Sequence, residues 1–92
     1  MYKMVRREKL SDLDLHNRKV IAEAVGFKVV LFKPQSSVRD ALIVTNLKLA
    51  IENATSVVKD YRCAMIYAFD KHENYVMVGQ VTKLGQYVEN KL

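Results

Sequence analysis

Residues 63–69 read Cys-Ala-Met-Ile-Tyr-Ala-Phe, residues 70–74 Asp-Lys-His-Glu-Asn, and residues 75–83 Tyr-Val-Met-Val-Gly-Gln-Val-Thr-Lys. Two apolar runs rich in β-branched and aromatic side chains flank a short polar linker, which is the pattern of an antiparallel hairpin. A five-residue loop sets Phe69 opposite Tyr75, and cross-strand partners then share a face. One face collects Ala64, Ile66, Ala68, Val76 and Val78, small aliphatic side chains suited to packing against helices. The other collects Cys63, Met65, Tyr67, Phe69, Tyr75, Met77 and Val81. Gly79 marks a bulge or a close approach by another group.

Upstream, Phe27–Lys33 (Phe-Lys-Val-Val-Leu-Phe-Lys) has the length and residue types of a buried strand, closed by Pro34. Before it, Ser11 is placed to cap a helix, with Asp14 three residues later and Leu10 and Leu15 as a hydrophobic staple. Leu13, Asn17, Val20, Ile21 and Ala24 share a face, and Gly26 is a natural stop, so a helix is expected over 12–25. Residues 2–7 alternate weakly, as an edge strand would. After Pro34, Ser36 or Ser37 caps a second helix. Ile43, Leu47, Ala50, Ile51, Ala54, Val57 and Val58 form a stripe at helical spacing, and the expected helix spans 38–60. Leu42 and Leu49 fall on its opposite, polar side, either as contacts for another element or chain or as incidental exposure. Residues 84–92 fit a short helix or a frayed extension.

The expected fold class is α+β, a two-layer β-α-β-α-β-β domain spanning 1–92, with a mixed four-stranded sheet and two helices on one face. This element order resembles the fold shared by the C-terminal domain of translation initiation factor three and the Alba chromatin proteins. The resemblance covers element order and size. It implies binding to RNA or DNA, with no functional residue carried over.

Half of the residues are hydrophobic, enough to fold without disulfides or a metal and high for so small a body. Some apolar surface is therefore expected against a second chain, a homodimer being the simplest form. Cys63 is the only cysteine, so no internal disulfide or cysteine-based zinc site can form, and a reducing, cytoplasmic setting is expected. The first nine residues carry Lys3, Arg6, Arg7, Glu8 and Lys9, and no long apolar run follows. A secretory leader or membrane-spanning helix is not expected.

The net charge is +5, and residues 1–33 hold eight Lys/Arg against four acids while the rest hold seven against six. A basic amino-terminal end suits a polyanion or an acidic protein; simple solubility is the other reading. Lys3, Arg6, Arg7 and Lys9 precede a helix start whose free amide hydrogens favour an anion, and Arg18 and Lys19 extend the basic patch. Three readings remain for the aromatic hairpin face: core, a subunit interface, or a platform on which Tyr67, Phe69 and Tyr75, with Met77 beside them, stack unpaired bases.

Catalysis has thin support. His16 pairs at helical spacing with Asp12, and His72 sits in the hairpin tip, so a histidine-based ribonuclease would have to join the two. Cys63 and His72 lie nine residues apart along one hairpin arm, about 30 Å at roughly 3.3 Å per residue, too far to act together. The three glycines form no phosphate-cradling pattern and no carboxylates have metal-ligand spacing, so neither cofactor nor metal is expected. The sequence thus predicts a small, basic, non-catalytic nucleic-acid-binding protein, RNA preferred over DNA. The rival expectation is a protein-binding inhibitor or adaptor, of the kind viral accessory proteins supply against a host enzyme.

Overall fold

The hairpin forms the centre of a larger antiparallel sheet. The computed structural model describes residues 12–34 and 39–90. In chain order these form α1 (Asp12–Ala22), β1 (Gly26–Phe32), β2 (Arg39–Val44), α2 (Leu47–Val57) with a 3-10 turn (Val58–Asp60), β3 (Cys63–Phe69), β4 (Tyr75–Thr82) and β5 (Tyr87–Glu89). The strands lie in the order β2-β1-β3-β4-β5, and every neighbouring pair is antiparallel. Because β2 and β3 flank β1, they run parallel to each other, and α2 makes the crossover between them.

The expected α+β class and the packing of two helices against a sheet hold; the finer topology does not. The sheet has five antiparallel strands rather than four mixed ones, and the described order is α-β-β-α-β-β-β. The element order behind the resemblance to initiation factor three and Alba is therefore not found among the described residues. The strand expected over 2–7, the cap at Ser11 and the cap at Ser36 or Ser37 lie outside those residues.

The largest departure concerns the helix expected over 38–60, whose first part is the strand Arg39–Val44. That segment alternates exposed and half-buried positions. Its register sets Leu42 opposite Val29 and Val44 opposite Phe27, so both join the core, while Ile43 points to the other face at 64 % exposure. Leu42 is thus a core residue and not part of a polar helix side. Leu49 is indeed exposed on α2. The helix begins only after Asn46, whose Oδ1 accepts a hydrogen bond from the Leu49 amide at 2.9 Å, satisfying a donor that the first turn leaves free.

Ala50 and Ala54 are fully buried, and their small side chains let α2 settle closely on the sheet. They meet Val29, Leu31, Ala64, Ile66, Ala68, Val78 and Val81, with Val58 closing the end of the cluster. From α1, which ends at Ala22 rather than at 25, Val20 is buried and Ile21 packs on this cluster, with Ala24 of the following connection beside it, so both helices cover one face.

Phe69 opposes Tyr75 as the five-residue loop requires. Farther along, Tyr67 pairs with Met77 but Ile66 pairs with Gly79, which leaves Val78 as an extra residue in a bulge. The bulge shifts parity, so Val81 lies in the core rather than on the aromatic face. Gly79 fulfils both readings of its position, since a Cβ there would lie 2.5 Å from the Tyr87 hydroxyl and 2.6 Å from its ring. The ends of the chain's last segment hold the bulge: the Tyr87 hydroxyl donates to the Val78 carbonyl at 3.3 Å. The Asn90 amide donates to the same carbonyl at 3.0 Å, and its Nδ2 to the Met77 carbonyl at 3.0 Å. Residues 87–89 are thus a strand, not a helix or a loose end. The Tyr87 hydroxyl is held above its ordinary pKa, first by burial and then by the nearby Glu89.

Candidate nucleic-acid interface

The helices cover one face of the sheet, and alternation along each strand fixes what the other presents. On β1 it presents Lys28, Val30 and Phe32, on β2 Arg39, Ala41 and Ile43, and on β3 Cys63, Met65, Tyr67 and Phe69. Beyond the bulge register these continue as Tyr75, Met77, Gln80 and Thr82 on β4 and Val88 on β5. No strand position of this face carries an acidic residue among the described residues.

The rings are organised with the cations. Phe69 and Tyr75 tilt against each other with centroids 5.4 Å apart. Lys28 Nζ stands 5.5 Å from the centroid of Tyr75, and the Arg39 guanidinium 5.0 Å from that of Phe32. Each cation meets the electron-rich face of a ring. A shallow groove runs between these pairs, lined by Lys28, Val30, Phe32, Arg39, Tyr67 and Tyr75. Tyr75 is 46 % exposed, so its side chain is within reach of a ligand.

The hairpin tip keeps Tyr75 in register. Asp70 is buried, and its Oδ1 accepts from the His72 and Asn74 amides at 2.9 Å each, while Oδ2 accepts from Asn74 Nδ2 at 3.0 Å. The Asn74 side chain first, then its amide, then His72 hold the Asp70 carboxyl below the ordinary carboxylate range, against burial. Glu73 takes the left-handed conformation the tight tip requires, with φ 63°. At the opposite corner, the Tyr61 hydroxyl donates to Asp40 Oδ2 at 2.6 Å, and Lys33 Nζ lies 3.8 Å from the same oxygen. This ties β2 to the start of β3 and keeps the Asp40 carboxylate on the helix-covered side, away from Arg39. The hydrogen bond to Asp40, then burial and the charges of Asp40 and Asp60, raises the Tyr61 pKa.

Of the residues singled out in the sequence, Tyr67, Phe69, Tyr75 and Met77 come together on the open face. Arg18 and Lys19 do not join them: both are exposed on α1, in the layer that covers the other side. Lys3, Arg6, Arg7 and Lys9 lie outside the described residues. Sequence reasoning missed Lys28, Arg39 and Phe32. Lys28, Val30 and Phe32 alternate with Phe27, Val29 and Leu31, a two-faced strand pattern that the reading of a wholly buried strand overlooks. Arg39 is hidden by the helical reading of its segment.

Of the catalytic candidates, only Cys63 stands at a position of the open face. Cys63 is half-buried at the far end of β3 from His72. His16 and His72 do line one small cleft, with Lys19, Glu23, Asp70 and Asn74, but the Asp70 carboxylate is fully engaged in holding the loop. No group of three His, Cys, Asp or Glu among the described residues is close enough to hold a metal ion.

No protein-family model matches this chain, and comparisons with curated proteins and with solved structures find no match. No helix among the described residues is long and apolar enough to cross a membrane. The chemistry of the open face therefore carries the functional reading.

Proposed function

We propose that the open sheet face binds unpaired nucleic acid, RNA in preference to DNA, without chemical turnover. The observation that supports this reading is the union on one face of four aromatic rings and two ring-bound cations, with no carboxylate at any described strand position of that face. Bases stack on Tyr67, Phe69, Tyr75 and Phe32, each stack contributing about 1–3 kcal/mol, while Lys28 and Arg39 meet phosphates. Such a face takes single strands because only unpaired bases offer both ring faces.

Binding of a labelled single-stranded RNA, followed by fluorescence anisotropy against salt, tests the reading. The slope of log K against log salt is about −0.7 per phosphate contact for single strands. Contacts from Lys28 and Arg39 alone give about −1.4, a loss of roughly sevenfold between 50 and 200 mM salt. A slope near −4 or steeper brings in the further cations Lys3, Arg6, Arg7, Lys9, Arg18 and Lys19. Replacing Tyr75 by Leu keeps the apolar contact and removes the ring, and should weaken binding at least fivefold. Absence of binding at low salt, or binding indifferent to salt, refutes the proposal.

The second reading is a protein-binding face, occupied by an acidic partner or by a second copy in a homodimer. Ile43, Tyr75 and Val88 favour it, being exposed apolar side chains on the same surface. A sizing column at low salt, with the 260/280 nm ratio recorded, separates the two. A stable dimer free of nucleic acid and indifferent to added RNA supports the second.

A further inference from the structure

Resting on the nucleic-acid reading, we infer that the groove is a single-strand track about four nucleotides long, with a cation–ring pair closing each end. Phe32 pairs with Cys63 across β1 and β3, and Tyr75 pairs with Phe69 across β3 and β4. Their backbone positions therefore stand six strand residues apart along the sheet, about 20 Å at roughly 3.3 Å per residue. They also stand two strands apart, so the line between them runs diagonally over the sheet. Tyr67 and Val30 occupy the middle of that line and also line the groove. Its span accommodates about four nucleotides, the lower end of site sizes for β-sheet single-strand binders.

The ends differ from the middle in their chemistry. At one end Lys28 covers Tyr75, and at the other Arg39 covers Phe32. A base that stacks on either ring displaces the cation from its face. The displaced group stays tethered beside that nucleotide and meets its phosphate, so stacking and charge neutralisation are coupled at both ends. Tyr67 and Val30 bring no cation of their own, so the middle of the track holds bases by contact alone. The ligand class is thus a short single-stranded segment without a required sequence, since every base has a stacking face.

The test is a length series of uridine oligomers, from two to eight nucleotides, competing with a labelled octamer for the wild-type protein. Affinity should rise at least about fivefold for each nucleotide up to four, and beyond four only by the statistical gain of extra binding frames. Arg39→Gln and Lys28→Ala should each weaken the tetramer by about threefold or more, lower the salt slope by about 0.7, and shorten the length at which affinity levels off. Lys28→Arg should keep the wild-type length dependence. Circular dichroism of each variant guards against unfolding, and both positions lie on the surface layer opposite the helices. Binding that rises evenly through eight nucleotides, or variants that leave the break at four, overturns this inference while the parent reading stands. No binding at any length overturns both.

Discussion

Replacing Gly79 by alanine should destabilise the protein by about 2 kcal/mol. The added Cβ would lie 2.5 Å from the Tyr87 hydroxyl and 2.6 Å from its Cε1 and Cζ, against an ordinary carbon contact of about 3.5–4.0 Å. The ring must withdraw by about 1 Å from a place where it packs on the core cluster. Overpacking of this kind costs about 1–3 kcal/mol. Withdrawal also lengthens the 3.3 Å hydrogen bond from Tyr87 to the Val78 carbonyl, a further loss of about 0.5–1 kcal/mol. Alanine restricts the unfolded chain more than glycine, which offsets about 0.4–1 kcal/mol. The net corresponds to a fall of roughly thirtyfold in the folding constant, and to a lower Tm by about 10 °C for a domain of this size.

Guanidinium denaturation followed by circular dichroism reads that change through the midpoint at an unchanged slope. Repeating the substitution in a Tyr87→Leu background isolates its cause. There the penalty should shrink below about 1 kcal/mol, since the atoms the new methyl group meets are gone. A Gly79→Ala protein within about 0.5 kcal/mol of wild type, or a penalty as large in the Tyr87→Leu background, would refute the seating of β5 on the bulge.

Other substitutions probe the remaining layers. Asn46→Ala should cost about 1 kcal/mol in the same assay, because it removes the acceptor that caps α2. Ile66→Ala should cost about 2–5 kcal/mol from the fully buried centre, whereas Ile43→Ala on the open face should stay within about 0.5 kcal/mol. Similar costs for the two would contradict the division of the sheet into a covered and an open side. The folded-state pKa of Asp70 lies below the ordinary value of about 3.9, so its contribution is fully present above about pH 4 and is lost as acidification passes the folded value. The stability gap between wild type and Asp70→Asn should therefore be constant from pH 8 to 5 and narrow below pH 4; a gap that widens in acid has the wrong sign.

The hairpin over 63–83 is legible in the sequence because its alternation, its residue types and its linker length all indicate the same register. The segment 39–44 is not, because Ile43 and Leu47 fit a helical stripe while Leu42 and Val44 fit a strand side equally well. Pairing with β1 decides between the two, and that contact spans the sheet rather than the local chain. The local trace of the boundary is Asn46, a good capping residue directly before Leu47. Val81 shows the same limit from another side. Gly79 signals the bulge, but which residue is inserted depends on where Tyr87 and Asn90 dock. For the candidate site, the hairpin aromatics follow from the local pattern. Lys28, Phe32 and Arg39 become visible only once β1 is known to have one uncovered side.

The placement of β1 between β2 and β3 governs how the chain can assemble as it is made. Its first partner, β2, follows within a few residues, but its second partner ends at Phe69, 37 residues after Phe32. At about 5–20 residues per second of synthesis, a nascent β1–β2 hairpin, complete only at Val44, waits roughly 1–5 s for Phe69 with one apolar edge bare. Completion then requires a long-range closure across α2, which slows folding relative to local hairpins. Until β3 arrives, that bare edge is where a neighbouring nascent chain would pair instead.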